Sequence, residues 1–496
     1  MDMLNGLINV FTMHNLFFCF IGTVLGTLVG VLPGLGPSST LAILLPITVF
    51  LEPTGAIIML AGLCYGAMYG GSTTSILVNI PGEPASVATC LDGYQMTRQG
   101  RAGQALWIAA VGSFIAGTAG VFGTSVIGPG IAKLALRFGP PEYCGLLFFS
   151  LTMIISLSGA SLSKGIGVGL MGIFLATVGM DPLTGSARLK FGSIQMMMGF
   201  DIIPVVVGLF GVSQILETVG AGVGQIYAGK LGKMMPRGDD LRRGLKASIR
   251  ATVICFPLGL IPGMTTALTA FLAYDIEKRV SDRPEKFGTG VIEGVAAPEA
   301  GNNATSQAGF IPLFALGIPT APSMAIVLAA LMMYGLQPGP ALFVQNKTFV
   351  WTVIASMYVG NVMCLILNLP LVGMWARISL IPYKYLAPLI LAVCVVGAYS
   401  PRNSMFDVGT SLIFGVIGFA MNKAKWPVPP LILGVILGPM FEVSFRQALS
   451  MGGIGILFSR PISLGFIIAT FISTWLLLRY TRKAVPKEIL DTEEKL

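Results

Sequence analysis

Gly30-Val31-Leu32-Pro33-Gly34-Leu35-Gly36-Pro37 interrupts one apolar run, and Gly259-Leu260-Ile261-Pro262-Gly263-Met264-Thr265-Thr266 interrupts another in the second half of the chain. At an offset of 229 residues Gly30, Pro33, Gly34 and Thr40 fall on Gly259, Pro262, Gly263 and Thr269. A small polar stretch follows each break: Gly70-Gly71-Ser72-Thr73-Thr74-Ser75, then Gly301-Asn302-Asn303-Ala304-Thr305-Ser306. A third pair comes next, Ile80-Pro81-Gly82-Glu83-Pro84 and Ile318-Pro319-Thr320-Ala321-Pro322. Three ordered matches at a slowly growing offset read as a duplication, with a site built from interrupted helices.

The surroundings of the breaks are membrane-like. Of 496 residues, 54% are hydrophobic and 11% charged, with a mean hydropathy of +0.81; soluble domains carry about 25% charged residues. Apolar runs such as 17–31, 108–127 and 464–478 recur from end to end. The expected fold is an all-α polytopic membrane protein of roughly ten to fourteen spans, including broken or re-entrant helices. Two structural repeats of inverted topology are expected: 1–229 and 251–460, joined by a basic cytoplasmic segment at 230–250. An inverted repeat needs an odd number of spans per half, yet both ends of the second half are basic and therefore cytoplasmic. An extra terminal helix at 461–478, before a charged cytoplasmic tail at 479–496, resolves that conflict. Phe17–Val31 reads as a retained first span, because Asp2 and the absence of a basic leader argue against a cleaved signal.

Charge and rare residues exclude several function classes. The net charge of +9 resides in short loops, as orientation signals do, and forms no continuous face that could track nucleic acid. The seven cysteines are scattered without metal-ligand or disulfide spacing, and read as small apolar residues. His14 is the only histidine, so no Ser-His dyad or HExxH zinc site can be assembled. Gly224–Lys230 has phosphate-loop spacing, but Leu231 stands where Ser or Thr must hold magnesium. The chain reads as no enzyme and as needing no cofactor, so transport energy comes from an ion gradient.

The breaks carry the chemistry. Proline removes a backbone donor, and glycine lets the chain leave helical geometry. In hydrocarbon each freed amide or carbonyl costs several kcal/mol unless it lines a cavity. A half-helix starting at a break aims N–H groups and its positive end at that cavity, which suits an anion. Substrate-binding candidates are Pro33, Gly34, Ser72, Thr73, Thr74, Ser75, Pro262, Gly263, Asn302, Asn303, Thr305 and Ser306. Carbonyl and hydroxyl oxygens in the same stretches suit sodium. Cation-coupling candidates are Glu83, which sits within a break, Glu299 and Asn303, since intramembrane carboxylates mark ion or proton sites. No Lys or Arg falls within a break, so substrate charge is met by helix ends and amides. Gly22, Gly26 and Gly30 read as a close-packing face.

These motifs resemble the large membrane (permease) subunit of the tripartite tricarboxylate transporter family. The resemblance covers roughly residues 16–460 and rests on the 30–37 and 70–84 blocks, Gly179-Met180-Asp181-Pro182 with Gly185 and Arg188, and 259–263. Further on it rests on Ala297–Ala304, Pro388, Gly397-Ala398-Tyr399, Leu433-Gly434, Leu437-Gly438, Glu442 and Arg446. It implies a multi-pass protein of the bacterial inner membrane that works with a small membrane subunit and a periplasmic solute-binding protein. The implied activity is import of di- or tricarboxylates of the citrate kind, driven by Na+ or H+. The alternatives are a stand-alone secondary transporter of another solute, and a channel or structural membrane component. Glu83 faces Ala321 across the repeat, so carboxylate-based coupling is expected on one side only.

Overall fold

The structure is a computed structural model and describes residues 2–32, 36–157, 162–218, 231–378 and 383–481. Almost all regular structure is helical, with one two-residue antiparallel ribbon. Among the described residues, six helices are long and apolar enough to cross a membrane, and six shorter apolar helices accompany them. Packing divides the chain into two compact units, one of residues 1–136 and 200–424, the other of 137–199 and 425–496. The cysteines are unpaired.

In the first unit, α1 (Asp2–Val10) precedes α2 (Met13–Val31), whose start is capped by Thr12 accepting from Asn15 N. After the break come α3 (Pro37–Thr48), α4 (Pro53–Val78), α5 (Val87–Arg98) and α6 (Ala102–Ala135). Proline at the first position starts α3 and α4, where its missing N–H is no loss. Helix α2 lies directly on α4. A methyl group added at Gly22, Gly26 or Gly30 would stand 2.3, 2.6 or 2.2 Å from the carbonyl oxygens of Met59, Leu63 and Ala67. From the other side, one at Gly66 or Gly70 would stand 2.8 or 2.3 Å from Thr23 O and Thr27 O. Small residues let two backbones meet where lipid supplies no hydrophobic drive for association.

The unit continues through α9 (Ile202–Glu217) to α10 (Asp239–Leu258) and, after the second break, α11 (Thr266–Val280). Most of the basic connecting segment is thus the first turns of α10, which opens on Asp239 and Asp240 as the helix dipole favours. Then come α12 (Glu293–Ala308), α13 (Phe310–Leu316), α14 (Pro322–Met333), α15 (Lys347–Asn368), α16 (Tyr383–Tyr399) and α17 (Met405–Lys423). Helix α10 packs on α12 as α2 does on α4, with Gly259 against Thr305 O and Gly301 against Cys255 Sγ.

Chain directions follow from these contacts. Helix α5 runs alongside α4 in the same direction, with Gly71 beside Glu83 and Ile76 beside Gly93 and Thr97. It runs opposite to α12, with Glu83 beside Asn302, Thr89 beside Glu299 and Asp92 beside Gly294. The hairpins α2–α3 and α10–α11 therefore point in opposite directions. Asp92 fixes the register. This fully buried carboxylate accepts the N–H groups of Gly288, Gly290 and Val291 at 2.7–3.0 Å and the hydroxyl of Tyr274 at 2.8 Å. Arg101 paired to Asp240 at 2.6 Å and Gly103 N donating to Leu231 O close the same end.

The second unit holds α7 (Pro140–Leu157), α8 (Leu162–Ala176), the ribbon β1 (Gly179–Met180) with β2 (Ala187–Arg188), α18 (Pro429–Gly452) and α19 (Pro461–Thr481). Gly172 and Gly434 let α8 and α18 cross with backbones touching. The ribbon turns through Asp181, whose Oδ1 accepts from Leu183 N and Thr184 N. Arg446 donates to Asp181 Oδ2 at 2.6 Å, and Arg188 grips Glu442 with both guanidinium ends at 2.6 and 3.2 Å. The Arg446 hydrogen bond, helped by the turn amides, holds the Asp181 carboxyl well below the usual carboxylate range.

Two outcomes are expected. Gly66→Val forces two backbones apart and lowers thermal stability in detergent by about 1–3 kcal/mol, whereas Gly130→Ala, in open space within α6, does not lower it. Because the native pKa of Asp181 is depressed, its ion pair stabilises the fold above the unfolded-state pKa, about 4. The stability advantage over Asp181→Asn is therefore full at neutral pH and shrinks as pH falls below that value, measured by paired melts.

Candidate functional site

A neighbouring loop meets the end of α2 and the second break through backbone alone. Helix α4 ends on Asn79 in the left-handed region (φ 59), the chain doubles back, and α5 follows Glu83 in extended geometry (φ −145, ψ 164). Helix α13 ends on Gly317 in the same left-handed region (φ 72), and α14 follows Ala321 with φ −144 and ψ 164. The loop after α4 brings Gly82 so close to Gly30 O that an added methyl would sit 2.0 Å away. In the second half Gly263, itself at φ 85, donates its N–H to Thr320 O at 2.9 Å.

The polar face of α12 meets the first of these loops. Glu299, 1% exposed, accepts Ser72 Oγ on Oε2 and Thr89 Oγ1 on Oε1, both at 2.6 Å. Glu83, 4% exposed, accepts Asn302 Nδ2 on Oε1 at 2.8 Å. Asn303 Nδ2 donates to Ser113 Oγ of α6 at 2.8 Å and to Glu299 O at 3.0 Å. Gly71 is required here, since a methyl group on it would stand 2.7 Å from Glu83 Cγ. Ser72, Glu83, Glu299, Asn302 and Asn303 thus form one buried cluster, with both carboxylates on the side of the α2–α3 break.

Other candidates lie apart from it. Thr74 Oγ1 lies beside Gly82, and Thr74 and Ser75 donate back to Gly71 O at 3.4 and 2.9 Å, a common use of mid-helix hydroxyls. Thr305 Oγ1 donates to Thr269 Oγ1 at 2.8 Å, joining α12 to α11 next to Gly259, and Pro262 and Gly263 are buried. Thr73 and Ser306 are buried in the same helices. Pro33 and Gly34 lie outside the described residues. The half-helices after the two breaks differ: Thr265 accepts from Leu268 N and so caps α11, whereas Gly36 offers α3 no side-chain cap.

Sequence reasoning missed Thr89, Ser113 and Asp92, and missed Asn361 of α15. Asn361 Oδ1 accepts Tyr69 Oη at 2.6 Å, and its Nδ2 reaches Phe114 O and Thr118 Oγ1 at 3.0 and 2.9 Å. Asn361 and Ser113 stand within long apolar runs, and that isolation was the available signal. Thr89 and Asp92 lie in the mixed segment after Pro84, where nothing in the pattern marks a buried face. Removing one hydroxyl donor leaves a buried carboxylate oxygen without its partner. Ser72→Ala or Thr89→Val is therefore expected to lower stability by about 1–3 kcal/mol each, read by thermal unfolding of the purified chain.

Comparison with known proteins agrees with this architecture. The tripartite tricarboxylate transporter TctA family matches over residues 16–433. An Agrobacterium vitis protein described as an uncharacterized 52.8 kDa protein in the TAR-I ttuC' 3' region is 43% identical over 457 residues, covering 90% of each chain. A second A. vitis protein, from the TAR-II ttuC' 3' region, is 41% identical over 208 residues, 42% of this chain and 86% of its own. No solved structure matches. Residues that carry the resemblance yet lie far apart in sequence, Asp181 and Arg188 with Glu442 and Arg446, meet in one ion-pair cluster. The chain is a multi-pass membrane protein and belongs to the TctA family of tripartite tricarboxylate transporters.

Proposed function

We propose that this chain is the permease subunit of a carboxylate uptake system in a bacterial inner membrane. It receives a di- or tricarboxylate from a periplasmic solute-binding protein, works beside a small membrane subunit, and draws energy from a sodium or proton gradient. The observation that carries this reading is the pair of broken hairpins pointing in opposite directions, each pinned at its break by a loop that follows a left-handed helix end. Inverted, interrupted elements meeting near the middle of a membrane are the architecture of alternating access. The two halves are read as inverted repeats.

Substrate is placed between the breaks, near the uncapped start of α3 and beside Thr74 and Thr305. N–H groups there supply the positive potential that no Lys or Arg supplies. Glu83, Glu299 and Asn303 are assigned to ion coupling. The basic end formed by Arg101, Arg242, Arg243 and Lys246 is cytoplasmic under the positive-inside rule.

The test is uptake of labelled di- and tricarboxylates into proteoliposomes holding the chain, its small membrane subunit and the binding protein, under separate sodium and proton gradients. Saturable accumulation against a gradient is expected, and passive flux alone overturns the reading in favour of a channel. Accumulation by the chain without a binding protein replaces it with a stand-alone transporter. Thr74→Leu, which crowds Gly82, is expected to abolish uptake at unchanged membrane expression; retained uptake removes Thr74 from the site.

A further inference from the structure

Around Glu83 and Glu299 the hydroxyl donors are taken up by Glu299, while buried amide acceptors remain. Ser72 and Thr89 both donate to Glu299, the amide of Asn302 donates to Glu83, and that of Asn303 donates to Ser113 and Glu299 O. What is left over on Asn302 and Asn303 is oxygen: Oδ1 of each is buried and accepts nothing, on residues 1% and 0% exposed. Two unpaired amide oxygens beside two carboxylates form an acceptor surplus, and a buried acceptor without a donor costs about 1–3 kcal/mol. Among the described residues the ion pairs of this unit, such as Arg101–Asp240, Arg243–Glu293, Arg250–Glu277 and Arg402–Asp201, lie elsewhere.

We propose that Glu83, Asn302 and Asn303, with Glu299 behind them, bind one dehydrated alkali cation of sodium size. This rests on the transport reading above and narrows its coupling ion. An anion is repelled by the two carboxylates and finds the cluster's hydroxyls already donating to Glu299. A proton neutralises one carboxylate and leaves the amide oxygens of α12 unsatisfied. A cation takes several oxygen ligands at once and so meets the whole surplus. Charge selects its valence. Both oxygens of Glu299 are already engaged by hydroxyls, so one carboxylate, Glu83, faces the ion among neutral amide oxygens. That balance fits a monovalent ion; calcium takes six to eight oxygens, several of them charged. No group of three His, Cys, Asp or Glu side chains that could hold a metal gathers among the described residues, and amide and carboxylate oxygens suit hard ions.

The position has a consequence for coupling. Glu83 follows Gly82, whose backbone presses on Gly30 at the entrance to the first break. An ion that draws Glu83 toward α12 therefore sets the loop against which the end of α2 rests at Gly30. Cation and substrate then raise one another's affinity by the same factor.

The experiment is equilibrium binding of radioactive sodium to the purified full-length chain in detergent, with choline as the blank and lithium and potassium as competitors. Saturable binding of one ion per chain is expected. Glu83→Gln and Asn302→Leu each weaken it by about ten-fold or more, while Asn302→Asp, which keeps an oxygen ligand, retains it. Folding of each variant is checked by its melt and elution profile. Sodium binding no greater than the choline blank, or undiminished binding in folded Asn302→Leu, overturns the inference. Carboxylate uptake driven by protons in the absence of sodium also overturns it and leaves the transport reading intact. Sodium binding that follows the predicted variants, with no carboxylate uptake in the complete system, upholds the site and overturns the transport reading.

Discussion

A helix that stops inside hydrocarbon must find partners for the groups its broken end exposes, and every other feature of the first unit answers that requirement. The end of α2 at Gly30 and the second break at Gly263 are met by returning loops at Gly82 and Thr320. Those loops reach them because α4 and α13 end on left-handed residues that reverse the chain. The long helices carry the loops to the right depth because α2 rides on α4, and α10 on α12, with backbones in contact. Remove the glycines and the breaks lose their partners. Close packing and an interrupted backbone are thus two halves of one design.

Much of this was legible in residue order. Pro33-Gly34 and Pro262-Gly263 marked the interruptions, and Gly22, Gly26 and Gly30 marked a packing face. Glu83 and Glu299 stood out as carboxylates in apolar surroundings, and the structure places them together. What the residues could not say is which groups face one another. Ser72 is indistinguishable from Thr73 or Thr74 by type, yet Ser72 reaches Glu299 while Thr74 bonds its own helix. That choice depends on the rotation of α4 against α12. The pairing of Asp181 and Arg188 with Glu442 and Arg446 likewise needs α8 and α18 to cross at Gly172 and Gly434.

The halves share a backbone plan and differ in chemistry. Positions 83 and 321 have nearly the same φ and ψ, but one is a carboxylate and the other a methyl. Thr265 caps its half-helix from within, whereas Gly36 does not. The two halves are in this way polarised: the buried carboxylates gather toward one break, and a side-chain cap serves the other.

Asp92 carries a last implication. Its carboxylate collects three main-chain N–H groups from 288–291 and one phenol, with Gly294 leaving it room. The donors are peptide groups, yet the loop that presents them depends on glycine, because Gly288 and Gly290 hold φ of 87 and 105. The contact cannot loosen by degrees. If α5 slides by one residue past α12, all the donors are lost together, leaving a bare charge in a buried place. Such a joint behaves as a snap fastener: silent under small fluctuations, and released in a single step when the two elements part.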